Sequence, residues 1–281
     1  MRNHFIEKNT NTGSDMTLSS NYKMELRKYQ TPILSNALIV SCSHKANYAF
    51  YKYPFDIDTL FISDLRSTYF TYLAGTLARK ISDIVALQGY NRICFVGCSK
   101  GGYGSILLSS LVGEIASAIR CSFLSFAPQT RIFPQNNNLS FPSYRKLIEL
   151  ANRDRKIYDC LILYGDLSKY LAKKEAHGRI IWSENNRKDN NEIQRILSYA
   201  GPGVIKMAMP FSFHAIALPF YIDYSDESTL SRALEKLMPN KRDEDVSENL
   251  DNISKIKKEI ESCKYLPTLK DLIYLNFQER H

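Results

Sequence analysis

Residues 92–108 read RICFVGCSKGGYGSILL. The run opens as an apolar strand of the length a buried parallel sheet uses, halts at Gly97-Cys98-Ser99-Lys100-Gly101, and resumes as a helix from Gly101 to about Val112. A strand that turns at once into a helix exposes the side chain at its apex above the carboxyl edge of the sheet and pushes that residue toward positive φ. The residues two before and two after the apex must be small, because strand and helix converge there. Gly97 and Gly101 hold those places, and Gly102 extends the allowance. A phosphate loop would need G-x-x-x-x-G-K-[ST] or G-x-G-x-x-G, and the segment has neither. Ser99 therefore reads as a nucleophile on a sharp elbow, with the Lys100 N–H at the start of the next helix facing an oxyanion formed beside it.

Outward from this turn the chain alternates strands and helices. NALIVSCS (36–43), DTLFISD (58–64), CSFLSFAP (121–128), GRIIWSE (178–184) and GVIKMAMPF (203–211) are short apolar runs of strand type, and YDCLILYG (158–165) reads the same way. Helical spacing runs from Ser67 to a stop at Gly89, and recurs near 142–152 and from Asn190 to Tyr199. This order predicts an α/β fold, a mainly parallel sheet with helices on both faces. Residues 1–22 are polar and predict a flexible arm, residues 23–224 the body, and residues 225–281 a C-terminal helical extension packed on it.

A serine is a weak nucleophile without a base. His4 and His281 are terminal, His177 lies in a polar connector and His44 borders the site after the first strand. His214 follows the last strand and is the candidate base. An orienting carboxylate belongs just after the strand RIIW. Glu184 stands nearest the strand end and is preferred. Asp189 is the alternative, since an aspartate there could instead cap the next helix. Asp166, in an ordinary Gly-Asp turn, is a third choice. A second oxyanion donor should come from the backbone of Ser43 or His44, after ALIVSCS.

The chain has 281 residues, 44% of them hydrophobic, enough for a sizeable core. Its net charge of +8 is spread along the sequence rather than gathered in one tract. That pattern suits an anionic substrate or surface and gives no specific pointer to nucleic acid. Six cysteines without a C-x-x-C pair read as reduced thiols. The sequence shows no run of membrane-span or signal-peptide length, so a cytoplasmic location is expected. No metal site is expected.

With a serine elbow, an acid loop and a late histidine in this order, the chain resembles an α/β-hydrolase. GCSKGGYGSILL followed one strand later by FAPQTRI is more particularly similar to the capsule-polymer O-acetyltransferases of pathogenic bacteria, of the meningococcal serogroup A type, over roughly residues 36–224. Those enzymes read GSSKGG and then APQ, and the NNE after the acid loop also fits. Their acid falls on Asn186 here, which has no carboxylate, so Glu184 or Asp189 must supply it or the triad is incomplete. The resemblance implies transfer of acetyl from acetyl-CoA, a co-substrate rather than a bound cofactor, to a hydroxyl of an anionic surface polysaccharide. It also implies peripheral association with capsule assembly machinery. An esterase with the same machinery, or a non-catalytic relative assisting glycan assembly, are the rival readings.

Overall fold

The computed structural model describes residues 17–44, 46–222, 227–237, 253–263 and 265–278. Seven strands form one sheet: β1 (Tyr22–Arg27), β2 (Ala37–His44), β3 (Thr59–Asp64), β4 (Arg92–Cys98), β5 (Arg120–Phe126), β6 (Gly178–Ser183) and β7 (Val204–Met209). Their order is β1-β3-β2-β4-β5-β6-β7. All neighbours are parallel except β1, which pairs antiparallel with β3 from Tyr22↔Asp64 to Arg27↔Thr59. Parallel strands covered on both faces need apolar residues on both, and β2 and β3 are buried almost throughout.

Part of the segment expected to be a flexible arm, residues 17–22, packs on the body. Residues 1–16 lie outside the described residues, whereas Leu18 and Tyr22 are buried in the core. The Tyr22 ring stacks on Phe70 and its hydroxyl donates to the Tyr72 carbonyl at 2.5 Å. The alternation in YKMELR is the strand signal that marks β1.

Side chains of successive strand residues point to opposite faces. Leu38, Val40 and Cys42 of β2 join a core with α1 (Ala74–Gln88), α2 (Lys100–Ile115), α3 (Pro142–Arg153), α4 (Arg155–Tyr164) and the one-turn α5 (Ser168–Leu171). Ala37 and Ile39 join a second core with Phe211, Phe213 and the C-terminal helices α7 (Glu227–Leu237), α8 (Ile253–Ser262) and α9 (Leu269–Gln278). The described helices of this segment thus pack against that face of the sheet. In α9, Leu269, Leu272, Ile273 and Phe277 are buried against the sheet, each contributing about 1.5–3 kcal/mol of apolar burial. Among the described residues no helix is long and apolar enough to cross a membrane.

Three local expectations are corrected. The YDCLILYG run is helix α4, not a strand. Asp154 caps it by accepting from the Lys156 and Ile157 N–H groups, and Ile157 and Leu161 face the core while Ile162 and Leu163 are exposed. The helix expected from Ser67 begins only at Ala74. The Asp64 carboxylate draws in the N–H groups of Arg66 and Phe70 and the Thr68 hydroxyl, winding the chain into a loop with positive φ at Ser67, Tyr69, Phe70 and Leu73. The helix placed at 190–199 is α6 (Arg187–Gln194). Gly89 does end α1, at φ 74°.

Candidate active site

The carboxyl ends of β2, β4, β5, β6 and β7 meet at one edge of the sheet. There Ser99 joins β4 to α2 with φ 55° and ψ −117°, a conformation a non-glycine residue holds only when its surroundings impose it. The imposing contacts are those the sequence anticipated. A Cβ on Gly97 would collide with the Gly101 carbonyl, and one on Gly101 with the Cys42 carbonyl. Strand β2, the elbow and α2 are thus in backbone contact. The Ser99 N–H bonds to the Phe126 carbonyl at 2.8 Å and its own carbonyl accepts from Tyr103 at 3.0 Å. Burial pushes the thiol of neighbouring Cys98 up to about 12, so it holds its proton and does not compete with Ser99.

His214 follows β7. Its Nδ1 lies 2.7 Å from Asp189 Oδ1. Main-chain stitching sets this pair. Beyond β6, the Glu184 N–H bonds to Met209 O (2.8 Å) and the Asn185 N–H to Phe211 O (3.1 Å), while the Ser183 hydroxyl reaches Phe213 O at 2.5 Å. Asn186 then caps α6, accepting from the N–H groups of Lys188 and Asp189. On the other side of the histidine loop, Ser212 donates its N–H and hydroxyl to the two oxygens of Glu259 in α8, at 2.8 and 2.7 Å.

Asp189 is thus the carboxylate on His214, and the preference for Glu184 is corrected. Glu184 extends the β6–β7 ladder by its main chain and stays exposed. The cap role considered for Asp189 belongs to Asn186. Asp166 lies elsewhere, accepting from Ser168 N and sitting 3.7 Å from Arg195. Burial raises the Asp189 carboxyl, against the pull of His214, and its Oδ2 has no hydrogen-bond partner among the described residues. For His214, burial opposes the charge but the Asp189 carboxylate outweighs it, so the imidazole is held above its ordinary value. The ammonium groups of Lys100 and Lys188 act the other way.

Ser43 and His44 end β2 opposite Ser63 and Asp64 of β3, one and two residues past the Cys42 carbonyl that abuts Gly101. Ser43 Cα stands 3.6 Å from where a Cβ on Gly101 would lie. The Lys100 N–H opens α2 at the positive end of its dipole. The Lys100 ammonium bonds Ser143 Oγ at 2.6 Å and Lys188 approaches Ser140 Oγ at 3.3 Å, bracing the segment that leads into α3. Sequence reasoning assigned no role to Gln129, although its motif was noted. It lies just past β5, and its side-chain amide is within hydrogen-bond distance of Ser99 Oγ. Its position at the carboxyl end of a strand next to β4 was the available signal.

A mainly parallel sheet that carries a serine on a strand–helix turn, a histidine after its last strand and a carboxylate after the strand before is the α/β-hydrolase fold, which this chain adopts. No family model and no curated protein sequence matches the chain. Solved structures that it resembles are mainly α/β-hydrolase enzymes. One is an α/β hydrolase from the metagenome of lagoon sediments at Mar Chica, Morocco, with 15% identity, covering 67% of this chain and 84% of that one, TM-score 0.39. Another is the capsule O-acetyltransferase of Neisseria meningitidis serogroup A, with 15% identity, 67% and 83% coverage and TM-score 0.44. The glycosylation-associated Gap123 complex of Streptococcus agalactiae matches with 11% identity, 66% and 39% coverage and TM-score 0.49. At such identities the likeness is one of fold.

Proposed function

We propose that this protein is an acetyl-CoA-dependent O-acetyltransferase that acetylates an anionic bacterial capsular or surface polysaccharide through a Ser99–His214–Asp189 triad. The observation that carries the acyl-transfer reading is the 2.7 Å Asp189–His214 pair at the sheet edge that holds Ser99 on its strained elbow. His214 takes the Ser99 proton as Oγ attacks the acetyl carbonyl, and Asp189 fixes the imidazole tautomer and steadies the imidazolium. The thiol of CoA leaves with the proton from His214. A sugar hydroxyl then attacks acetyl-Ser99, with His214 again the base.

Choosing a polymer hydroxyl over water rests on the S-K-G-G and A-P-Q pair, and on charge. Lys100 and Lys188 are near enough to His214 to oppose its charge, within a chain of net charge +8. Lysines at the reacting edge and a basic chain suit a polyanion and the phosphates of CoA. We place the reaction in the cytoplasm, where acetyl-CoA is found, beside the machinery that assembles the polymer.

The test is incubation of the full chain with acetyl-CoA, with and without each of a panel of anionic capsule polymers, followed by thiol release and polymer mass. A matching polymer should accelerate acetyl-CoA consumption and gain acetyl mass. Rapid hydrolysis of small acetyl esters with no acetylated polymer would make the protein an esterase. No turnover of either, with intact fold, would make it a non-catalytic relative.

A further inference from the structure

Ser99 Oγ is held by an amide side chain. Gln129 Nε2 lies 3.0 Å from it and Gln129 Oε1 3.3 Å, and Gln129 is only 3% exposed. Its main chain has little freedom. Ala127, at φ 41°, turns the chain out of β5. The next residue, Thr130, is tied at every polar group. Its N–H and hydroxyl donate to Glu192 Oε2 at 2.8 and 3.0 Å, the hydroxyl also reaches the Glu192 carbonyl at 2.8 Å, and its carbonyl accepts from Leu167 N–H at 3.0 Å. Glu192 Oε1 takes the Asn136 and Asn138 amides at 2.7 and 2.9 Å. Glu192 stands three residues after Asp189 on α6. One helix therefore presents the acid to His214 and fixes the loop that presents the amide to Ser99.

We propose that the Gln129 side-chain amide is a catalytic donor to the oxyanion formed at Ser99, with Glu192 its positioning residue. As Oγ attacks an acyl carbonyl, the hydroxyl proton passes to His214, the Oγ–C bond forms and the carbonyl π pair moves onto the carbonyl oxygen. That oxygen shares its carbon with Oγ, so a donor already 3.0 Å from Oγ reaches it by a small side-chain rotation. The Gln129 Nε2–H and the Lys100 N–H then share the negative charge. On collapse the electron pair returns, the bond to the leaving group breaks, and the His214 proton goes to the leaving atom. No co-reactant is needed. Because the amide has no net charge, its loss lowers the rate without moving the protonation midpoint of His214.

The inference rests on Ser99 being the nucleophile, and the experiment separates the two. Full-length wild type and variants are mixed with p-nitrophenyl acetate. The p-nitrophenolate burst gives the acylation rate, and intact mass with peptide mapping reports acetyl-Ser99. Gln129→Ala should slow acylation roughly 10²–10³-fold, the effect of losing one oxyanion donor, with KM and the pH midpoint unchanged. Affinity for phenylboronic acid, whose tetrahedral serine adduct carries an oxygen where the oxyanion sits, should fall with it. Glu192→Gln should lower kcat roughly 10–100-fold through misplacement, with KM unchanged. Where Gln129→Ala does not fold, Gln129→Met, of similar length and without a donor, gives the same reading. Acylation by Gln129→Ala or Gln129→Met within threefold of wild type, or a loss confined to KM, overturns the amide's role. A wild-type chain that never acetylates Ser99 overturns the nucleophile itself.

Discussion

The turns that follow β4 and β6 lie at the same edge of the same sheet and behave in opposite ways. After β4 the chain reverses within one residue, and main-chain atoms meet main-chain atoms, Gly97 against Gly101 and Gly101 against Cys42. After β6 the chain continues in the ladder for two more residues, through Glu184 and Asn185, before Asn186 starts a helix. In the tight turn the identity of each residue is dictated by van der Waals radii. In the loose one, the role of a carboxylate depends on a histidine 25 residues downstream. Glu184 and Asp189 are chemically alike and end up exposed and buried, respectively. The path of the backbone decides this, not the nearness of either residue to the strand.

Several variants would break or sharpen that contrast. The largest effect belongs to the residues the two turns bring together. Ser99→Ala and His214→Ala should each cut acyl transfer by roughly 10⁴–10⁶-fold while circular dichroism and melting stay native. Near-native turnover by either would dissolve the site.

The tight turn can be probed by stability alone. Gly101→Ala forces a Cβ into the Cys42 carbonyl and should destabilise the fold by about 3 kcal/mol or more. Gly113→Ala in the same helix meets only an ordinary 3.8 Å contact with Cys121 and should stabilise it by up to about 1 kcal/mol. Equal effects in a denaturant titration would show that convergence of strand and helix is not what selects Gly101.

The loose turn depends on remote anchors. Glu259→Ala removes both hydrogen bonds to Ser212 and should cost about 2 kcal/mol, together with a several-fold loss of kcat as the histidine loop loosens. No change in either would mean that α8 only covers the core.

The smallest effect is electrostatic. His214 works as a base only when neutral, and its pKa is raised, so activity should climb as pH rises through a midpoint above the ordinary imidazole value of about 6.5. Lys188 opposes that charge, so Lys188→Met should move the midpoint further up by a fraction of a unit, more at low salt. A downward move in the pH–rate profile would reverse the assigned sign.

The same contrast explains what the sequence disclosed. Strands β2 to β7 and the Ser99 elbow were legible because apolar runs and glycine spacing are local signals. His214 was legible from chain order. Helix α4 was misread because an unbroken apolar run does not distinguish a buried strand from a helix with two exposed aliphatics, and its Asp154 cap was passed over. The late start of α1 was hidden because the Asp64 side chain, not a proline or glycine, reshapes residues 65–73. Asp189, Gln129 and Glu192 owe their positions to partners 25 to 62 residues away, which no local pattern encodes.

The most direct measurement is the rate at which Ser99 becomes acetylated in three proteins compared side by side: wild type, Glu184→Gln and Asp189→Asn. Wild type and Glu184→Gln should acetylate Ser99 at the same rate, while Asp189→Asn should be slower by roughly 10⁴-fold, with its pH midpoint shifted down because the carboxylate that raises His214 is gone. A slow Glu184→Gln beside a fast Asp189→Asn would contradict the triad assigned here.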